Sequence, residues 1–408
     1  MLGIYRAVRF MSGGALPALA AAGLWALVSG DLRLEANQPD MEVFINAFLI
    51  WAFALWVEKE GKCSRGRAVC VGLLWGAASL YKQYVVVDAL FLSAALLIAG
   101  NTKDRVAHWR AVSWALGSVA GVWLLVFGYF SLTDRFQMFW EALLSFNVYY
   151  SGDMSVNITS GLSALRLCPD FMLWFLPFGI LTVFGFFIGY RFGKIRWLLL
   201  GAFCAAKYIE VVLPGYFTTH YYQLWLPAIV VGFGWALSVF EKRWNRRVMI
   251  TTAVLLIGWA GVREAKWYRL SAMESSRVKY GMDYESVSSV VETVQKVLQP
   301  GETFYEWSDV PRFYYDAGCR LPARYLFNFL MFRGPLTEKM AQQTIEDLDK
   351  AMPELVIFDR NWRPQGWENQ RVTVYLKERY KPFKVIGSLG RFELCYRVVG
   401  NLEKRLGK

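Results

Sequence analysis

Apolar positions along this 408-residue chain fall first into long unbroken runs and then, past about residue 270, into short alternating ones. A helix needs roughly 17 to 25 apolar residues to cross the hydrocarbon layer of a bilayer. Nine runs approach that length, centred on 13–30, 43–57, 68–81, 84–99, 112–130, 171–189, 197–213, 221–240 and 248–262. The second, third and fourth are short, and 68–99 also reads as a tight hairpin of two half-depth helices broken around Tyr81, Lys82 and Gln83. Beyond 270, "YESVSSVVETVQKVL" sets Val287, Val290, Val294 and Val297 at helical spacing, and "TEKMAQQTIEDLDKAM" and "NQRVTVYLKERY" read as further helices. "ETFYEW" and "ELVIF" read as strands, and "FKVIGSLGRFELCYRV" as a hairpin turning at Gly387 to Arg391. The pattern predicts a polytopic α-helical membrane protein of about nine spans: a terminal segment 1–12, a helical domain 13–263 and a small α/β domain 271–408.

Composition supports a membrane protein, since 55% apolar, 17% aromatic and only 19% charged residues lie outside the soluble range. Lys and Arg in alternate short loops orient it. One side carries sixteen, running from Arg6 and Arg9 through Lys59, Lys62, Lys103 and Arg196 to Arg247; the other carries Arg33, Lys82, Arg135 and Arg166. Residues 1–12 are therefore expected in the cytoplasm and 271–408 outside it. Basic loops facing anionic lipid account for the +12 net charge, with no nucleic acid as partner. Six dispersed cysteines without a CxxC spacing exclude a disulfide framework and a cysteine metal site. Cys168, Cys319 and Cys395 face the oxidising side; either Cys319 and Cys395 pair or these thiols stay free. "MLGIYRAVRF" and the run after it lack a clean cleavage site and read as an anchor.

Function is sought in polar groups that interrupt the apolar pattern, because charge at membrane depth is costly. Glu35, Asp40 and Glu42 precede the second run, Lys82 separates the third from the fourth, and "AAKYIEVVLPGYFTTHYYQLWLP" holds Lys207, Glu210, His220, Tyr221, Tyr222 and Trp225. All fall at one set of helix ends. Each also has a structural reading. Lys207 and Glu210, three apart on one helix face, neutralise each other; Lys82 snorkels; Asp40 and Glu42 cap a helix; the His-Tyr cluster is an interfacial aromatic belt.

The stretch "LEANQPDMEVFINAFLIWAFALWVEKEGKCSRGRAVCVGLLWGAASLYKQYVVV" resembles the middle of bacterial GT-C glycosyltransferases of the dolichyl-phosphate-mannose mannosyltransferase-like superfamily, relatives of the aminoarabinose transferase. In that family an acidic loop enters a helix, and a Gly-rich helix ends in a small residue followed by Lys; here Tyr81 precedes Lys82. "GYFTTHYYQLWLP" is similar to the family's His-Tyr element, and "ETFYEWSDVPRFYYDAGCRLPARYLF" to a recurrent segment of its outer domain. The resemblance implies an inverting hexosyl or pentosyl transfer from a polyprenyl-phosphate donor to a glycan, lipid or protein acceptor at the outer face of a bacterial inner membrane. It implies Lys82, His220 and Arg324 for the donor phosphate, Asp40 and Glu42 as catalytic carboxylates, and Tyr221, Tyr222 and Trp225 for sugar or lipid contact. It names no certain cofactor and leaves a divalent metal open.

Family members carry two spans and an acidic first loop ahead of the element resembling "RAVRFMSGGALPALAAAGLWAL", where this chain starts. The catalytic acid of that loop is thus expected to be missing and the chain alone inactive in transfer. It then reads as a fragment, as half of a split enzyme, or as a non-catalytic membrane subunit. A transporter or flippase would also use Lys207 and Glu210, but calls for repeat symmetry that the sequence lacks.

Overall fold

The computed structural model of the chain describes residues 1–58, 60, 63–99, 104–164, 169–280 and 283–407. Lys59, Lys62, Lys103, Arg166 and Cys168, which entered the charge and cysteine counts, lie outside the described residues. The chain divides into two compact units, one of 1–140 and 151–270, the other of 141–150 and 271–408.

The first unit is helical. In chain order come α1 (Leu2–Ser12), α2 (Ala15–Val28), α3 (Met41–Glu58), α4 (Arg65–Tyr81), α5 (Val87–Ala99), α6 (Arg105–Leu132) and α7 (Phe136–Trp140). After a π-helical turn Glu141–Ser145 and α8 (Phe146–Ser151), most of which belong to the second unit, this unit resumes with α9 (Met154–Ala164), α10 (Pro169–Gly189), α11 (Lys194–Val212), α12 (Leu226–Arg243) and α13 (Arg246–Ala265). Every predicted apolar run is helical. Four helical segments, Met41–Glu58, Arg105–Leu132, Thr219–Arg243 and Arg246–Ala265, are long and apolar enough to cross a membrane among the described residues. Ala15–Val28, Gln83–Ala99 and Phe175–Gly189 are apolar but shorter. The hairpin reading of 68–99 describes the backbone: α4 stops at Lys82, which is extended (φ −145°, ψ 117°), and a 3-10 turn Gln83–Val86 starts α5. Residues 2–12, unassigned by hydropathy, form a helix because Ile4, Ala7, Val8 and Met11 share one face and bury it in the core.

Two helix contacts depend on having no side chain. A Cβ on Gly72 of α4 would lie 2.1 Å from the carbonyl oxygen of Ala115 on α6, and one on Gly232 of α12 would lie 2.1 Å from Thr182 of α10. Backbones approach this closely where small residues line the seam.

The second unit is a three-layer α/β/α sandwich. After α14 (Ala272–Tyr280) and α15 (Asp283–Val297) come β1 (Phe304–Trp307), α16 (Arg312–Ala317), α17 (Thr337–Ala351), β2 (Leu355–Asp359), α18 (Arg371–Arg379), β3 (Tyr380–Ile386), β4 (Phe392–Arg397) and α19 (Asn401–Arg405). The sheet order is β1-β2-β4-β3, with β1 parallel to β2 and the other pairs antiparallel. Strand residues alternate faces. Leu355 and Ile357 pack with Val287, Val290 and Val294 of α15, while Val356 and Phe358 pack with Met340 and Leu348 of α17 and Leu376 of α18. This alternation answers the cysteine question, since Cys395 is buried on the α17 side, Cys319 packs on the α15 side, and both thiols are free. Residues 141–150 join this unit through Glu141, which accepts from Lys339 Nζ at 2.7 Å.

Candidate functional site

The helix break at Lys82 decides where its charge goes. With the backbone extended there, the side chain lies only 14% exposed and donates to Glu42 on the first turn of α3, whose own side chain is 2% exposed. The ammonium also stands 4.0 Å from the ring centre of Tyr221. His220 meets the same ring edge-on, with centroids 4.6 Å apart, and its Nε2 lies 3.4 Å from the Thr218 hydroxyl. Tyr221 thus links the two sequence-predicted phosphate ligands of this unit.

The loop before α3 supplies further carboxylates. The Gln38 amide donates to Glu35 at 3.0 Å and to both oxygens of Asp40 at 3.1 and 3.0 Å. Thr219 donates to the other Glu35 oxygen at 3.4 Å. Asp40 and Glu35 are partly exposed, whereas Glu42 is buried, so of the two sequence-predicted catalytic carboxylates Asp40 is the one an incoming group can reach. Two buried amides brace the assembly: Asn46 of α3 donates to the Gln223 carbonyl at 2.9 Å, and Gln223 donates to the Leu34 carbonyl at 2.7 Å. They tie α3, the acidic loop and the 3-10 turn Thr219–Trp225 together.

The remaining predicted residues separate. Tyr222 is fully buried against the Trp225 ring, with centroids 5.4 Å apart. Trp225 is partly exposed and donates to the Lys207 carbonyl at 2.9 Å. It also borders an apolar groove of about 310 Å³ lined by Phe175, Leu176, Val183 and Ile229. Lys207 does pair with Glu210, at 2.8 Å, but shares its ammonium with Asp88 of α5 at 2.7 Å. Asp88 was missed, although a lone carboxylate inside the apolar run 84–99 is itself a signal. All three side chains are buried, so they join α5 to α11 and do not meet solvent. Arg324 belongs to the second unit, where its guanidinium holds Asp347 through bonds of 2.8 and 2.7 Å.

No family description and no curated protein matches the chain. Among solved structures, the oligosaccharyltransferase of Archaeoglobus fulgidus, determined in complex with zinc and sulfate, is similar over 96% of this chain at 13% identity, with a TM-score of 0.47. The chain spans 59% of that structure's length. A similarity at this distance bears on neither activity nor substrate.

Proposed function

We propose that this chain forms, or forms part of, a membrane glycosyltransferase that moves a sugar from a polyprenyl phosphate to an acceptor outside the cytoplasm. The observation that carries the reading is the Lys82–Glu42 pair, placed by a helix break beside Tyr221 and His220 and next to the reachable carboxylate of Asp40. In the proposed transfer the acceptor oxygen bonds to the anomeric carbon as the carbon–phosphate oxygen bond breaks. The acceptor's proton passes to a carboxylate, for which Asp40 is this chain's own candidate in place of the first-loop acid that the family resemblance expects, and the departing polyprenyl phosphate keeps the electron pair. Lys82 and His220 hold the phosphate through charge-assisted hydrogen bonds, and Glu42 positions the Lys82 ammonium; Arg324, which the family resemblance also assigns to the phosphate, is held by Asp347 in the second unit. The groove beside Trp225 suits a prenyl chain because its lining is apolar.

Binding of a polyprenyl-phosphate hexose to purified protein tests the reading. A hydrogen bond to a charged group contributes roughly 1.5 to 3 kcal/mol, so Lys82→Met and His220→Phe are each expected to weaken binding about ten- to hundredfold. Arg105→Gln, an exposed position at the start of α6, is the control and leaves binding unchanged. Equal binding by all four proteins would return His220 to an aromatic belt and leave Lys82 only the partner of Glu42.

A further inference from the structure

A cavity of about 720 Å³ in the second unit opens where β1 ends and α16 begins. That volume lies within the range of small-molecule sites. Its charged wall carries two arginines; the partner of one, Asp316, also lines the cavity, whereas the partner of the other, Asp359, is buried outside the lining. Arg312 donates to Asp316 at 2.6 Å, one turn along α16, and Arg391 grips Asp359 at the end of β2 through bonds of 3.0 and 2.7 Å. Asp309 completes the wall, and Tyr280 and Tyr315 stand at the rim, 51% and 88% exposed.

The balance of charge restricts the ligand. Each guanidinium is already paired, Arg312 with Asp316 in the wall and Arg391 with the buried Asp359, so a phosphate or a carboxylated ligand gains little from either arginine and is repelled by Asp309 and Asp316, while a cation meets the two arginines. A hydroxyl group, which donates and accepts at once, suits a wall of fixed N–H donors beside carboxylate lone pairs. A pyranose offers a ring of such hydroxyls and a face of C–H groups, and the electron-rich face of a tyrosine ring complements those hydrogens. We infer that this cavity is a saccharide-binding site for a neutral glycan, held by Arg312, Asp316, Asp309 and Arg391 and stacked on Tyr315 and Tyr280. That the glycan is the acceptor of transfer rests on the glycosyltransferase reading above; the binding itself does not.

Saturation-transfer NMR and calorimetry on the full-length protein in detergent micelles test it, with hexamers of glucose, mannose and N-acetylglucosamine as neutral probes and a galacturonate hexamer as the charged one. At least one neutral probe is expected to bind. Tyr315→Ala, at a side chain with almost no packing to lose, and Arg312→Gln are expected to weaken it fivefold or more, and weakening in either variant supports the site. Absence of binding by all neutral probes, binding by the galacturonate alone, or unchanged binding in both variants overturns it. Polyprenyl-phosphate hexose binding, measured on the same preparations, separates the two readings. Donor binding without saccharide binding removes the cavity site alone, and saccharide binding without donor binding removes the transfer reaction alone.

Discussion

Glu306 lies on β1 between Tyr305 and Trp307 and is fully buried, and loss of hydration pushes its carboxyl up to about 8. The Ser308 hydroxyl donates to it and the Asn328 amide lies 3.3 Å away, yet these bonds do not offset the burial. The folded protein therefore holds a proton that the unfolded chain releases near 4.5. The stabilisation is fully present below about 4.5 and is lost as pH rises through about 8, with a slope of about 1.4 kcal/mol per pH unit between them. Glu306→Gln keeps the shape and removes the ionisation. Its melting temperature in the second unit's transition is expected to fall less than that of the wild type between pH 5 and pH 8; equal falls would place the titration elsewhere. At the same scale, Lys82 and His220 were legible as polar interruptions of an apolar pattern. Their shared neighbour Tyr221 was legible only as an aromatic, because a ring that meets Lys82 across the fold has no sequence spacing of its own.

Among the elements, the helices were the most legible part, since burial by lipid or core imposes a local period that a short window of sequence reveals. The seams between helices were not. Gly72 and Gly232 look like ordinary glycines until the partner helix is placed, and only then does each become a point of backbone contact. Gly232→Leu forces α12 away from Thr182, and overpacking of this kind destabilises by roughly 1 to 3 kcal/mol. A lower folded yield and a lower melting temperature in detergent are expected. Gly258→Ala on α13, where an added Cβ meets nothing within 4 Å, is expected to leave both unchanged. A Gly232→Leu protein as stable as the wild type would show that α10 and α12 do not depend on this contact.

At the scale of the whole molecule, orientation rests on charge and not on packing. The excess of Lys and Arg in alternate loops predicts that reporter fusions after residues 110 and 245 signal from the cytoplasm, and those after 150 and 300 from outside. External signal at 245 or cytoplasmic signal at 300 would overturn that topology. The second unit recruits 141–150 from the middle of the chain, a juncture that hydropathy alone did not mark. That stretch is a π-helical turn and one short helix, and the Glu141–Lys339 pair that ties it in joins residues 198 apart in sequence.

By itself the sequence determined the apolar helices, the break at Lys82, the valine face of α15 and the strands with their closing hairpin, because each follows from a period or a turn within a few neighbours. Only tertiary structure decided the partners: Glu42 for Lys82 across 40 residues, Asp88 for Lys207 across 119, and Asn46 for the Gln223 carbonyl across 177. It likewise sent Cys319 and Cys395 to opposite faces of one sheet. The physical reason is that a buried charge or amide must be satisfied by whatever group the helix crossings bring within about 3 Å, and no local pattern encodes that crossing.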